Sequence, residues 1–174
     1  MADLKLIRLA FLLGMLMTIS QCAYRFEGDT RLPGDINRLC ITILDNRTSE
    51  TGLENIFTSA LIHEFSLRNS NVLTSKDEAD AVLSGGIRSM RIETIARSGT
   101  QGGASIERRV TLGVLLSLTD RDGKLIWTSG ELTGYEEYQV ALDKIVTEQY
   151  RKDAIVHLVE RLAETIYNHI AADF

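Results

Sequence analysis

Three histidines, a glycine-rich run and an acidic turn have the residue types and spacing that could suggest chemistry. His63, His157 and His169 could each offer an imidazole to a metal or to a proton in transit. They lie far apart in the chain, and none has the HExxH or HxH spacing that presents two imidazoles to one ion. The run Gly99-Thr-Gln-Gly-Gly103 has the look of a phosphate cradle, but no Lys-Ser/Thr follows it. It also falls between two strands instead of opening a helix. Asp120-Arg-Asp-Gly123 supplies the first two carboxylates of a calcium loop, yet its glycine comes too early and no Glu closes it. A tight turn accounts for it. Cys40, inside Arg-Leu-Cys-Ile-Thr-Ile-Leu, reads as a small apolar residue of a strand. No set of convergent acids, nucleophiles or ligands emerges, so the chain is expected to be no enzyme and to need no cofactor or metal.

One electrostatic feature stands apart. Between Gly86 and Leu112 the charges are Arg88, Arg91, Arg97, Arg108 and Arg109 against Glu93 and Glu107, an excess of positive charge in a chain whose formal net charge is −5. Guanidinium groups around a hairpin could hold phosphate in a bidentate grip, or they could be solvated and paired with the two glutamates. The acidic balance elsewhere gives no expectation of a nucleic-acid partner.

The clearest chemistry lies at the N-terminus. Lys5 and Arg8 precede an almost unbroken apolar run from Leu9 to Ile19, followed by Ser20-Gln21-Cys22. This is a positive n-region and an h-region, and the run is shorter than the about 20 residues a membrane span needs. Ile19-Ser20-Gln21-Cys22 resembles a bacterial lipobox, in which the thiol is diacylated and the new N-terminus is acylated in turn. Gln21 departs from the small residue usual at that position. Residues 1–21 are therefore expected to be an export signal, Cys22 the lipid attachment site, and 22–37 a tether. Without Asp3, Lys5 and Arg8 the mature chain is still more acidic. Ala23 is not the Asp that retains many enterobacterial lipoproteins in the inner membrane, which favours the outer one.

The elements that would position these groups follow from periodicity. Arg38 to Leu44 alternates as a strand, placing Leu39, Ile41 and Ile43 on one side and Cys40, Thr42 and Leu44 on the other. Thr51-Gly-Leu-Glu54 has capping-box spacing, and Leu53, Ile56, Phe57, Ala60, Leu61 and Phe65 carry a helix to about Asn69. A β-rich stretch from Ala81 to Ile95 shifts its apolar phase between Ile87 and Met90, which predicts a bulge near Gly85-Gly86 or Arg88. Ala96 to Ser105 reads as a loop. Val110, Leu112, Val114, Leu116 and Leu118 then give the cleanest alternation. Asp122-Gly123 turns that strand into Leu125-Ile-Trp-Thr-Ser, and a second helix runs from about Val146 to about Ala171.

The order β-α-β-β-β-α predicts one α+β domain over residues 38–174, a two-layer sandwich with two helices on one face of a roughly four-stranded mixed sheet. Its first two main strands flank a helix and are expected to run parallel. The other face, with Cys40, Thr42, Leu44, Thr111, Gly113, Leu115, Ser117 and Thr119, is of intermediate polarity and suits docking.

Cys22-Ala-Tyr-Arg-Phe, a strand ending in Asn46-Arg-Thr-Ser-Glu, a helix opening Gly52-Leu-Glu-Asn-Ile-Phe and this order of elements together resemble the LptE family of lipopolysaccharide-assembly lipoproteins. The resemblance spans essentially the whole mature chain. It implies a two-helix, four-stranded sandwich anchored in the inner leaflet of the outer membrane. Such a protein faces the periplasm, plugs the lumen of the LptD barrel, aids that barrel's assembly and binds lipopolysaccharide. By the same resemblance Arg97 and Lys144 match basic residues of the family, and Arg108 and Arg109 join them on charge. The alternative is an auxiliary or substrate-binding lipoprotein of an ABC-type lipid transport system.

Overall fold

The computed structural model describes residues 36–68, 72–100 and 103–172. In chain order the elements are β1 (Leu39–Ile41), β2 (Asp45–Asn46), α1 (Leu53–Arg68), β3 (Ala81–Thr100), β4 (Gly103–Asp120), β5 (Leu125–Thr128), β6 (Leu132–Val140) and α2 (Lys144–Ala172). The fold is the expected α+β sandwich, with a mixed sheet of six strands among the described residues.

Six strands occupy four tracks. β3 and β4 form the central antiparallel hairpin. β1 and β2 lie one after the other along β3, both parallel to it, and β5 and β6 lie one after the other along β4, both antiparallel. Each outer track is thus a single strand broken once.

The break between β1 and β2 overturns the expected facing of one strand. Ile41 pairs with Leu83 and Asp45 with Gly86, so four steps on the outer track pass three on β3. One surplus residue flips the alternation. Leu44 is consequently buried at 2% exposure, whereas Ile43 is 70% exposed, the reverse of what uniform alternation predicts. The buried Thr58 hydroxyl accepts the Leu44 N–H at 3.2 Å and donates to the Glu54 carbonyl at 2.7 Å, which fixes the break against α1.

Two further expectations are corrected. β6 lies where no strand was foreseen, paired with β4 from Ile106 to Val114. The presumed loop at 96–105 is mostly ladder, since Arg97 to Thr100 pair with Gly103 to Ile106. Pairing satisfies the backbone there with little need of apolar side chains. The predicted bulge is present, Arg88 being the surplus residue between Ile87 and Ser89, and Ile95 makes a second.

α1 begins one residue later than a cap at Thr51 implies. Gly52, with φ +87°, takes the cap position, and its carbonyl accepts the Asn55 and Ile56 N–H groups at 3.1 Å each. The Glu54 carboxylate receives the Asn46 side-chain amide at 2.7 Å. At α2, Asp143 caps the helix by accepting the Ile145 N–H at 2.7 Å.

Both helices cover one sheet face. Leu53, Phe57, Leu61 and Phe65 of α1 and Ile155, Leu158, Leu162, Ile166 and Ile170 of α2 join Leu83, Ile87, Leu112, Val114, Leu116 and Leu118 in one core. Phe65 and Tyr167 meet edge to face, 5.0 Å between centroids. Arg151 reaches across from α2 to Glu50 at 2.8 Å while also holding Glu148 at 2.7 Å.

Asp80 ties the start of the sheet to its far turn. Its carboxylate accepts the Arg38 and Asn37 N–H groups at 2.9 and 3.2 Å and a guanidinium N–H of Arg121 at 2.6 Å. Desolvation works to raise its pKa, but these amides and the Arg121 and Arg38 charges outweigh it, leaving Asp80 below the ordinary aspartate value of 3.8. The unfolded chain therefore binds the proton more readily. The stabilisation is complete above that ordinary value and fades as the pH falls through the lower folded one. Urea midpoints followed from pH 6 downward should drop on the acid side, and Asp80→Asn should flatten that drop. An unchanged acid limb in the variant would remove Asp80 as its source.

Candidate functional site

The basic residues singled out from sequence are distributed over one end of the sheet. In β4, alternate residues from Val110 to Leu118 enter the core, so Arg108 falls on the helix side and its neighbour Arg109 on the open face. The sheet separates them. Arg108 is exposed and lies between Thr94 and Tyr138 in register.

Arg109 is already engaged. It lies between Glu93 and Glu137 in register, and its Nε and a terminal nitrogen donate to one Glu137 oxygen at 3.2 and 2.6 Å. Its guanidinium also stacks 4.4 Å from the Tyr135 ring centroid. The Glu137 hydrogen bond first, then the charges of Glu137, Tyr135 and Glu93, raise its pKa despite some desolvation. Arg91 shares this open face beside Thr111 of β4, past the stretch of β3 that β1 and β2 cover.

Arg97 pairs with Ile106, which pairs with Val140 at the end of β6. The side chain of Arg97 lies outside the described residues. Lys144 opens α2 just past Val140, exposed, at this same end of the molecule. The structure thus gathers Arg97, Arg108 and Lys144 at one end by position, with Arg109 on the far side of the sheet. Cys22 lies outside the described residues.

The open face is largely as expected, with Leu44 withdrawn from it. Its rows run Cys40–Val82–Thr119, Ser84–Ser117–Thr128, Ser89–Gly113–Thr133 and Arg91–Thr111–Tyr135. Small hydroxyl side chains alternate with apolar ones, Leu115 opposite Gly86 and the exposed Leu125 beside Thr119. At Gly113 an added Cβ would lie 2.6 Å from the Ser89 hydroxyl, so even the middle of the face is low. Cys40 is half-buried and free.

The histidines sit exposed on the helices, His157 within 3.7 Å of Glu160. Among the described residues no three His, Cys, Asp or Glu side chains come together as metal ligands, and no helix is long and apolar enough to cross a membrane. Sequence reasoning missed β6 and with it Glu137 and Tyr135, which with Glu93 set the electrostatics around Arg109. The Tyr-Glu-Glu-Tyr run was the available signal.

Among the described residues the sandwich presents one open sheet face and places basic residues at one end. The family model described as "LptE: Lipopolysaccharide-assembly" matches residues 36–170, and the chain belongs to that family. Among solved structures it is similar to the rare lipoprotein B from Shewanella oneidensis, at 13% identity and TM-score 0.50 over 75% of this chain and 94% of that one. It is also similar to a minor lipoprotein from Acinetobacter baumannii, at 16% identity and TM-score 0.49 over 79% and 94%. The first likeness bears on the fold alone. A comparison with curated proteins finds no match.

Proposed function

We propose that this chain is an outer-membrane lipoprotein, lipidated at Cys22, that seats in the lumen of an LptD-type barrel, helps that barrel assemble and assists the delivery of lipopolysaccharide. Family membership over residues 36–170 is the observation that carries the reading. The lipobox-like Ile19-Ser20-Gln21-Cys22 and the bare sheet face support it. A low surface carrying hydroxyls suits close apposition to a polar barrel wall.

Affinity purification in detergent tests it. A detergent-resistant β-barrel should accompany the protein, and depletion should lower surface lipopolysaccharide. Recovery of an inner-membrane ATPase complex without a barrel would overturn it.

The basic end is assigned to lipid A phosphates, through Arg97, Arg108 and Lys144, with Arg109 contributing less because Glu137 already holds it. Exposed charge pairs are worth about 0.2–1 kcal/mol each, so replacing all three by Ala should weaken lipopolysaccharide binding about tenfold. The loss should shrink as salt is added. Arg109→Ala alone should change binding by less than the triple variant does. Equal binding by wild-type and triple variant at low salt would end the assignment.

A further inference from the structure

Among the described residues β6 pairs with β4 on one margin and with no strand on the other, and hydrogen-bond parity fixes what that second margin presents. The central hairpin closes on Thr100 and Gly103, and β4 carries no surplus residue from there to Val114. Its even-numbered residues therefore bond towards β6 and its odd-numbered ones towards β3. Thr111, Arg109 and Glu107 lie beside Tyr135, Glu137 and Gln139 without backbone hydrogen bonds to them, so these three residues of β6 turn N–H and C=O outward. The Tyr135 carbonyl is capped, since Arg161 of α2 donates to it at 2.5 Å and also pairs with Glu136. Among the described residues nothing takes the outward groups of Glu137 and Gln139.

Between this uncapped stretch and α2 lies a cavity of about 260 Å³. Tyr138 from β6 and Tyr150, Asp153, Ala154 and His157 from one face of α2 line it. Arg161, one helical turn past His157, holds the Tyr135 carbonyl. The Thr147 hydroxyl bonds both the Ala141 N–H and the Ala141 carbonyl, at 3.0 and 3.1 Å, and closes the β6–α2 turn. Asp153 receives the Gln149 amide at 2.7 Å and pairs with no cation among the described residues. The groove therefore combines paired backbone donors and acceptors, an apolar wall and an unmatched negative charge.

We propose that this groove takes an extended segment of the barrel partner as an added strand, seating an apolar side chain against Tyr138, Tyr150 and Ala154 and a basic one opposite Asp153. The inference rests on the barrel assembly proposed above. A margin offering both N–H and C=O beside a helix suits strand addition, whereas an acyl chain would leave those groups unsatisfied. A second copy paired through its own β6 would bring Glu136 and Glu137 towards Asp153, like charge against like.

The test uses the full chain coexpressed with the barrel. Gln139→Pro removes an outward donor without touching the β4 ladder, at a strand margin where proline is tolerated. Asp153→Lys reverses the charge on an exposed helix turn, and a photo-crosslinking side chain at Tyr150 marks the occupant. Both substitutions should lower the barrel recovered at least tenfold at an unchanged melting temperature, and the crosslink should map to an extended basic segment of the barrel. Full recovery with both variants, or a crosslink only to a second copy or to lipopolysaccharide, overturns the groove assignment and leaves the barrel assembly standing. If the wild-type chain recovers no barrel, the assembly itself is wrong and the groove assignment falls with it. If Gln139→Pro lowers the melting temperature, Asp153→Lys and the crosslink decide.

Discussion

Replacing Cys22 by Ser should release the protein from the membrane fraction into the soluble one. Buried acyl chains contribute about 0.8 kcal/mol per methylene, and a single myristoyl chain gives only marginal binding. Three chains at one residue, in contrast, hold a protein stably. Among the described residues no helix is long and apolar enough to span a bilayer. Fractionation with a carbonate wash, and mass spectrometry of the mature N-terminus, check this result. A Cys22→Ser protein that stays with the membrane while the barrel is absent would show that the anchor lies elsewhere. Retention only when the barrel is present would show instead that the barrel holds it.

Gly85→Ala should be the most damaging single-methyl change in the sandwich. Gly85 has φ +139°, which L-residues rarely adopt, and an added Cβ would lie 2.3 Å from the Leu115 carbonyl oxygen and 2.8 Å from the Leu116 Cα. Neither atom can swing aside, because both belong to the backbone of the paired strand. Strain and clash together should cost about 3–5 kcal/mol, a large part of the about 5–15 kcal/mol that holds a domain folded. At a few degrees per kcal/mol the melting temperature should fall by about 10–20 °C. Gly113→Ala is the useful contrast, since its new methyl meets the Ser89 hydroxyl, the end of a side chain that can rotate. If both variants melt alike, the close pass of β3 over β4 at Gly85 is wrong.

The parts of the fold that could be read in the sequence are those where packing dictates residue type. Val110 to Leu118 alternates because one side of β4 is core, and α2 shows its stripe because Leu158, Leu162 and Ile166 must meet the sheet. β6 hid for the opposite reason. Its core-facing positions are Leu132, Gly134, Glu136, Tyr138 and Val140, and only Tyr138 is a buried large side chain. Gly134 has to be bare, since a Cβ there would come within 2.9 Å of Leu162 and 3.0 Å of Leu158. A strand that makes room for a helix shows no apolar alternation.

The facing of Ile43 and Leu44 was hidden because a one-residue break leaves composition untouched and only register reveals it. The candidate cations were legible as charge but not as an arrangement. That Arg108 and Arg109 occupy opposite faces follows from strand parity once 103–109 is known to be strand, and the Gly, Ala and Ser of that stretch argued for a loop.

The far end of the central hairpin holds its shape through the ladder from Thr94 to Arg108, with core side chains of β4 beginning only at Val110. Backbone pairing sets the shape there. Substitutions in that stretch exchange charge, reach and hydrogen-bonding capacity at little risk to the folded state. On the proposed reading, in which the tip meets lipid A phosphates, recognition can be retuned by substitution at the tip alone while the sandwich beneath is left as it is.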